Sequence, residues 1–161
     1  MAGQEFSHLD GDGRLTMVDI SAKEPSRRVA QASCLVTTSG HPEQTGDRGV
    51  TPAVVLSARL TGIHAAKRTS DLIPLCHPLA LSDVRLDIEA HPRGYAVSSM
   101  VVTDGRTGVE MEALTACAFA ALALVNSLVA RDPDVRVEDL TLRSKSGGKS
   151  GDWGRDVPAA Q

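Results

Sequence analysis

The stretch 84–131, VRLDIEAHPRGYAVSSMVVTDGRTGVEMEALTACAFAALALVNSLVAR, changes its hydrophobic period partway along and so decides the fold. Residues 84–91 and 95–104 alternate apolar and polar positions. The HPRG sequence between them favours a turn, which predicts a hairpin of two antiparallel strands. In residues 107–131 the apolar positions recur at spacings of three and four among many Ala and Leu residues. This second part predicts the longest helix of the chain.

Outward from this stretch, the sequence predicts two more strands and a second helix. Residues 28–38 mix β-branched and small residues near period two, and residues 135–143 repeat that pattern, so both segments are expected to be strands. Thr51 offers a capping hydroxyl and Pro52 suits a first helical turn, which predicts a helix from Pro52 to about Arg68 after a polar loop at 39–50. The buried side of this helix is expected to contain Val55, Leu60 and Ile63.

The order of these elements predicts an α+β fold, with a mainly antiparallel sheet and its helices packed on one face. The 161 residues suit a single domain from residue 1 to residue 161. Residues 1–15 and 145–161 are rich in Gly, Ser and charged side chains, so both ends are expected to be mobile. The stretch DLIPLCHPL at 71–79 has a proline on each side of residues 75–77, which predicts a rigid turn.

The composition argues against several classes of protein. Only 2% of the residues are aromatic and the formal net charge is −3, which disfavours a nucleic-acid partner. No apolar run has the length of a membrane span and the N-terminal residues lack a signal-peptide pattern, so we expect a cytoplasmic protein with no membrane partner. Cys34, Cys76 and Cys117 contain no CxxC pair and lie among apolar neighbours, so we expect neither a disulfide framework nor a metal or other cofactor.

Three short segments contain the residues best suited to chemistry. In RSKSGGKSG, Lys145 and Lys149 flank glycines whose backbone can approach a phosphate, although a flexible basic tail has the same composition. Glu110 and Glu112 lie near the start of the long helix, where the helix dipole alone would explain them. They project about 200° apart, so only one should face a pocket of its own subunit. His77, in the rigid turn, is either a proton-transfer group or a packed structural histidine.

Four motifs, taken in order, resemble the MoaC family: MVDIS at 17–21, AAKRTSDLIPLCHPL at 65–79, TGVEMEALTA at 107–116 and KSGGKSGDW at 145–153. The resemblance covers nearly the whole chain and implies the same α+β fold. It also implies a homo-oligomer, from a dimer to a hexamer built as a trimer of dimers, with pockets where subunits meet. Family members are cyclic pyranopterin monophosphate synthases, which convert 3′,8-cyclo-7,8-dihydro-GTP and release pyrophosphate during molybdenum cofactor biosynthesis. The implied partner is therefore a phosphorylated small molecule.

The resemblance also implies roles for individual residues. It places His77, Glu110 and Glu112 on positions that hold the substrate, and we expect these three to be the catalytic residues. It places Arg28, Lys67 and Lys145 on basic positions around the pocket and the phosphates of the substrate. Together with these, the expected substrate-binding residues are Leu75, Cys76, Met111 and Lys149.

Three positions depart from the family pattern. Aligned without a gap, the family's lysine at the start of the first helix is replaced by Thr51. The family's Asp-Met-x-Lys segment begins here with Asn126 and ends with Val129. Those family groups carry acid–base chemistry and stabilise charge, which Thr, Asn and Val cannot do at neutral pH. Asn126 and Val129 are three residues apart and are expected to project from one helix face toward the pocket.

These departures favour a repurposed MoaC-like cyclase of specialised metabolism. An example is a Pictet–Spengler-type condensation of an aromatic amine with a phosphorylated aldehyde, in which His77 and Glu112 transfer protons. Two alternatives remain open. The chain could be a working cyclic pyranopterin monophosphate synthase in which other groups compensate, or a non-catalytic regulatory subunit of an active paralogue.

Overall fold

The computed structural model describes residues 8–40, 50–149 and 151–155. In chain order the elements are β1 (Ser26–Thr37), α1 (Pro52–Ala66), α2 (Thr69–Leu72), β2 (Leu81–His91), β3 (Gly94–Gly105), α3 (Glu110–Leu128), β4 (Arg136–Ser146) and β5 (Trp153–Gly154). The strands form an antiparallel sheet in the order β2-β3-β1-β4-β5. The helices α1 and α3 pack against each other and against this sheet. The predicted α+β fold is confirmed.

The predicted hairpin is formed by β2 and β3, with His91 paired to Gly94 across a two-residue turn. Gly94 has a φ of 143°, and a Cβ there would collide with the carbonyl oxygen of Val36 in β1. The approach is close because Gly94 also pairs with Thr37 of β1. The turn therefore requires glycine.

Small side chains build the contact between α1 and α3. A Cβ at Gly62 would lie 2.6 Å from the carbonyl oxygen of Ala116, so the two helix backbones nearly touch at this point. The prediction that Leu60 lies on the buried side of α1 is wrong, since Leu60 is 58% exposed. Val55 and Ile63 are half-buried. Larger residues do not fit between such close backbones, so glycine and alanine take the inner positions and leucines the outer ones.

The longest helix, α3, is shorter at both ends than the predicted range of 107–131. By length and composition alone this helix could cross a membrane, but half of its apolar window is buried inside the fold. Its Cys117 packs against Cys34 of β1, with 3.3 Å between the two Sγ atoms. Both thiols are free and buried. This degree of burial is typical of a helix that packs in the core of a layered α+β fold.

The start of α1 and the end of α3 lie at the same end of the sheet, near the turn between β2 and β3. The N–H of Val50 donates to the hydroxyl of Tyr95, the second residue of β3, at 2.9 Å. The carboxylate of Asp132, just after α3, accepts from the N–H of Ser39, just after β1, at 2.7 Å. Two hydrogen bonds therefore fix these loops to one end of the molecule.

The C-terminal basic segment belongs to the sheet. The strand β4 continues three residues beyond the predicted end at 143. Lys145 pairs with Ala30 of β1 on one side and with Trp153 of β5 on the other. Gly147 and Gly148, with φ of 87° and 79°, start the turn between β4 and β5. The expected mobility of residues 1–15 and 145–161 stays a prediction, and residues 1–7, 41–49, 150 and 156–161 lie outside the described residues.

Candidate functional site

A cleft of about 430 Å³ opens at the N-terminal end of α3. Its walls come from the segment before β1, from β1, from the turn after α2, from the loop between β3 and α3, and from the end of β4. Eight of the ten residues predicted for catalysis or substrate binding line it, all except Lys67 and Lys149. The fold thus brings together groups as distant along the chain as Arg28 and Lys145.

His77 lies half-buried in the turn after α2. Its Nε2 is 2.8 Å from the carbonyl oxygen of Val18. A carbonyl can only accept a hydrogen bond, so Nε2 donates and, in the neutral ring, Nδ1 is left without a proton. His77 is therefore able to accept a proton at Nδ1.

The two carboxylates of the first turn of α3 have different surroundings. Glu110 forms an ion pair with Lys145, with 3.1 Å between Oε1 and Nζ. Glu112 is only 4% exposed. Burial, assisted by the charge of Glu110, raises the pKa of Glu112 to about 7. One carboxylate is thus paired with a cation, while the other exchanges a proton near neutrality, as general acid–base catalysis requires.

Both carboxylates line the same cleft, which contradicts the prediction that only one would face a pocket of its own subunit. That prediction assumed a pocket beside the helix. The cleft instead lies at the end of α3, where side chains that radiate from the first turn reach a common space. Glu110 also folds back over Gly108, where a Cβ would collide with its carboxylate.

Arg28 is fixed between two loops at the edge of the cleft. Its Nε donates to the carbonyl oxygen of Gly105 at 3.0 Å and its Nη2 to that of Arg106 at 3.3 Å. A Cβ at Gly148 would collide with the guanidinium from the other side, so glycine allows this approach. A guanidinium has five N–H groups, and those not used here remain for an anion.

A second depression, of about 690 Å³, adjoins the cleft and shares Lys23 and Arg28 with it. Lys149 lies in this depression, where the carboxylate of Glu24 opposes the three cations. The net positive lining suits phosphate groups. Lys67 lines neither the cleft nor the depression, and it lies exposed at the C-terminal end of α1.

Among the residues of the cleft that sequence reasoning missed, three have titratable side chains: His8, Lys23 and Arg106. All three involve the segment before β1, which Arg106 holds by donating from Nη1 to the carbonyl oxygen of Ser21 at 3.1 Å. The MVDIS motif marked this segment as typical of the family. Its backbone carbonyls, however, make the contacts with His77 and Arg106, and a backbone contact leaves no signal in the residue type.

The three positions that depart from the family pattern lie away from the cleft. Thr51 caps α1, its Oγ1 accepting from the N–H of Val54 at 3.3 Å. Asn126 and Val129 lie at the C-terminal end of α3. Fourteen residues separate Asn126 from Glu112, which is about 21 Å along a helix. Within one chain, α3 therefore places these side chains at the end opposite the cleft. That they project toward a pocket shared between subunits stays a prediction.

Cys76 lines the cleft as a thiol. Burial, and then the charge of Glu112, raises the pKa of Cys76, so the thiol stays protonated near neutrality and is a weak nucleophile. Within residues 8–40, 50–149 and 151–155, no group of three or more His, Cys, Asp or Glu side chains is arranged to hold a metal ion.

These features define the class of protein: an antiparallel α+β fold that gathers acid–base groups and cations in one cleft. The model of the MoaC family matches residues 17–148, and the chain belongs to the MoaC family.

Among its relatives are proteins named cyclic pyranopterin monophosphate synthase. That of Streptomyces avermitilis is 44% identical over 156 residues, which cover 96% of this chain and 92% of the relative. That of Trichodesmium erythraeum is 45% identical over 154 residues, covering 93% of each chain. That of Geobacter metallireducens is 42% identical over 160 residues, covering 96% of this chain and 99% of the relative.

These comparisons contradict the prediction of a repurposed cyclase of specialised metabolism. Proteins similar to the chain along almost their whole length share the synthase name. The prediction gave too much weight to Thr51, Asn126 and Val129. The residues that line the cleft follow the family motifs, and the similarity to named synthases extends over nearly the whole chain despite these three differences.

Proposed function

We propose that this chain is a cyclic pyranopterin monophosphate synthase, a lyase that acts in the cytoplasm in molybdenum cofactor biosynthesis. The observation that carries the proposal is the meeting of His77, Glu112 and the Glu110–Lys145 pair in one cleft. The similarity to synthases over nearly the whole chain supports it. The substrate is the one that the family resemblance implies, 3′,8-cyclo-7,8-dihydro-GTP.

In this proposal the cations receive the phosphates. Arg28 and Lys145 line the cleft, and Lys23 and Lys149 extend the positive lining into the adjoining depression. Closure of the cyclic phosphate breaks the bond to pyrophosphate, on which negative charge develops. Fixed cations such as Arg28 stabilise that charge without reorganising at the moment of reaction.

His77 and Glu112 transfer protons in the rearrangement. His77 accepts a proton at Nδ1, since the Val18 carbonyl holds its Nε2 as the donor. Glu112, with a pKa of about 7, is available both with and without its proton near neutrality. Leu75, Cys76 and Met111 provide the less polar wall against which the ring system packs.

We also propose a homo-oligomer, from a dimer to a hexamer. The outer surfaces of α1 and α3 expose four large apolar side chains, which are 45–58% exposed in the single chain: Leu56, Leu60, Leu122 and Val129. A second copy that covers them removes this area from water. It also places the Asn126–Val129 end against another chain, where the family resemblance expects shared pockets. Sizing at micromolar concentration as a monomer would contradict this.

The function is tested by incubating the purified chain with 3′,8-cyclo-7,8-dihydro-GTP and following pyrophosphate release and the cyclic product. The wild-type chain should convert the substrate, and His77→Phe should lose most of the activity. His64→Phe, at an exposed position near the end of α1, is the matched control and should remain active. A folded wild-type chain that neither converts the substrate nor restores cofactor synthesis in a deficient host overturns the proposal and favours a non-catalytic subunit.

A further inference from the structure

His8, the first described residue, lines the cleft together with His77. We propose that His8 is a further substrate-contacting residue, whose imidazole hydrogen-bonds a polar group of the substrate. The proposal rests on the proposed function, because that function supplies a nucleotide-derived ligand. Neither the family motifs nor the residue spacing pointed to this histidine.

The backbone around His8 is fixed by a small hairpin. Leu9 pairs with Leu15 in an antiparallel bridge, and the carboxylate of Asp10 accepts from the N–H of Arg14 at 2.8 Å. The carbonyl oxygen of His8 itself accepts from the N–H of Thr16 at 3.0 Å. The hairpin therefore holds His8 in place although it stands close to the start of the chain.

The same segment is tied to the cleft at two further points. Its Val18 carbonyl accepts from His77, and its Ser21 carbonyl accepts from Arg106. Val18 and Ser21 both follow His8 in the sequence, and the Leu9–Leu15 bridge lies between His8 and these two residues. His8 is thus part of a wall whose position is set by residues of the cleft.

The side chain of His8 has unused hydrogen-bonding capacity. Its Nδ1 is buried and has no hydrogen-bond partner among the described residues. A buried polar atom without a partner is unfavourable, and in native proteins such atoms are often found where a ligand or an ordered water completes the site. By contrast, His77 is engaged with Val18, and Glu110 with Lys145.

Because Nδ1 forms no hydrogen bond, a rotation of the ring that turns it toward a ligand in the cleft breaks none. An imidazole nitrogen either donates or accepts, which suits the ring N–H groups, carbonyl and hydroxyls of a cyclised guanosine nucleotide. Since Arg28, Lys23 and Lys145 are the groups that suit the phosphates, His8 is assigned to the base or sugar part of the substrate.

The test uses two substitutions that keep different atoms of the ring. The amide nitrogen of asparagine falls near the position of Nδ1, and that of glutamine near Nε2. We expect His8→Gln to lower kcat/KM for 3′,8-cyclo-7,8-dihydro-GTP about tenfold or more, and His8→Asn to retain more activity than His8→Gln. His64→Asn and His64→Gln, at an exposed position outside the cleft, are the matched controls. Thermal unfolding should be unchanged in both His8 variants.

Binding of GTP, measured by calorimetry, separates this proposal from the proposed function. If the wild-type chain binds GTP without converting the cyclised substrate, the synthase proposal fails, while a tenfold weaker GTP affinity in His8→Gln still supports the role of His8. Equal kcat/KM and equal GTP affinity in wild type, His8→Asn and His8→Gln overturn it. Losses that follow a lowered unfolding temperature equally in both variants also overturn it, because a structural role would produce them. A wild-type chain that neither binds GTP nor turns over the substrate overturns both proposals.

Discussion

The two ends of the α1–α3 pair differ in almost every physical respect. Where α3 begins, Glu112 is 4% exposed and Glu110 is paired with Lys145. Where α3 ends, Val129 is 45% exposed, and Thr51 at the start of α1 serves as a helix cap. The family resemblance pointed to functional groups at both ends, but only the first end is organised within one chain. Residues that a family resemblance marks as functional therefore form one site only where the fold of one chain, or contact with a second copy, brings them together.

The largest effect is expected at the organised end, from Glu112→Gln. Removing a buried group that titrates near neutrality should lower synthase turnover about a thousandfold, within the usual range for general acid–base catalysis. Glu89→Gln, at an exposed position of β2, is the matched control and should retain full turnover. Steady-state kinetics at pH 7 decide the matter, and a Glu112→Gln variant within threefold of wild type would show that another group transfers the proton.

The same carboxyl should make stability depend on pH. Its pKa is about 7 in the folded chain against 4.5 as the ordinary value, so the folded state holds the proton more tightly. The stability associated with the protonated form is complete below about pH 4.5 and is lost as pH rises toward 7. The loss is roughly 3 kcal/mol at most. Urea unfolding across pH 4.5–8 should show this fall in wild type, and a smaller one in Glu112→Gln. Identical pH slopes would rule the effect out.

The close helix contact between the two ends is tested by Gly62→Ala. The added Cβ would lie 2.6 Å from the carbonyl oxygen of Ala116, so the helices must separate or shift. We expect the free energy of unfolding to fall by about 2 kcal/mol. The control is Gly11→Ala, where a Cβ meets nothing within 4 Å, and it should be neutral in urea unfolding. No loss in Gly62→Ala would mean that α1 adjusts without strain.

A smaller change is expected at the far end of α3, from the double variant Asn126→Asp with Val129→Lys. If an oligomer brings this end to a partner's cleft, the added acid and cation should raise synthase turnover about tenfold. A reversed variant, Asn126→Lys with Val129→Asp, keeps the same charges in exchanged places and should not raise it. Turnover that is unchanged in the first variant would show that this end takes no part in catalysis.

The smallest effect is expected from Thr51→Ala. It removes the hydroxyl that caps α1 and should lower the free energy of unfolding by about 1 kcal/mol. Thr51→Ser keeps the cap and should match wild type in urea unfolding. Equal losses in both variants would mean that the methyl group of Thr51, and not its hydroxyl, stabilises the helix.

The parts of the fold with local signals were predictable from sequence. The β2–β3 hairpin follows from alternation around a turn, and the start of α1 follows from Thr51 and Pro52. The inner face of α1 was not predictable, because a hydrophobicity pattern favours Leu60 whereas backbone distance selects Gly62. The pairing of β4 with β5 was not predictable either, because the glycine-rich sequence between them is typical of a flexible segment.

The site was predictable as a set of residues but not as an arrangement. Family motifs named His77 and Glu112 correctly as neighbours in one cleft. The motifs also named Glu110. Helix spacing alone predicted that only one of the two glutamates would face the pocket, because spacing says nothing about a pocket at the end of a helix. His8 gave no signal in the sequence, since its place depends on a hairpin and on two backbone carbonyls.

The position of Lys145 within β4 limits how the chain length can vary. The pairing of β4 with β1 has two register shifts, both before Ser144. Side chains alternate between the two faces of a strand, so inserting one residue between Ser144 and Lys145 would turn Lys145 to the opposite face and break its ion pair with Glu110. Extra residues in the turn after Gly148 would leave that alternation intact. We therefore expect functional relatives to differ in length in the turn between β4 and β5 and to keep the length of β4 itself.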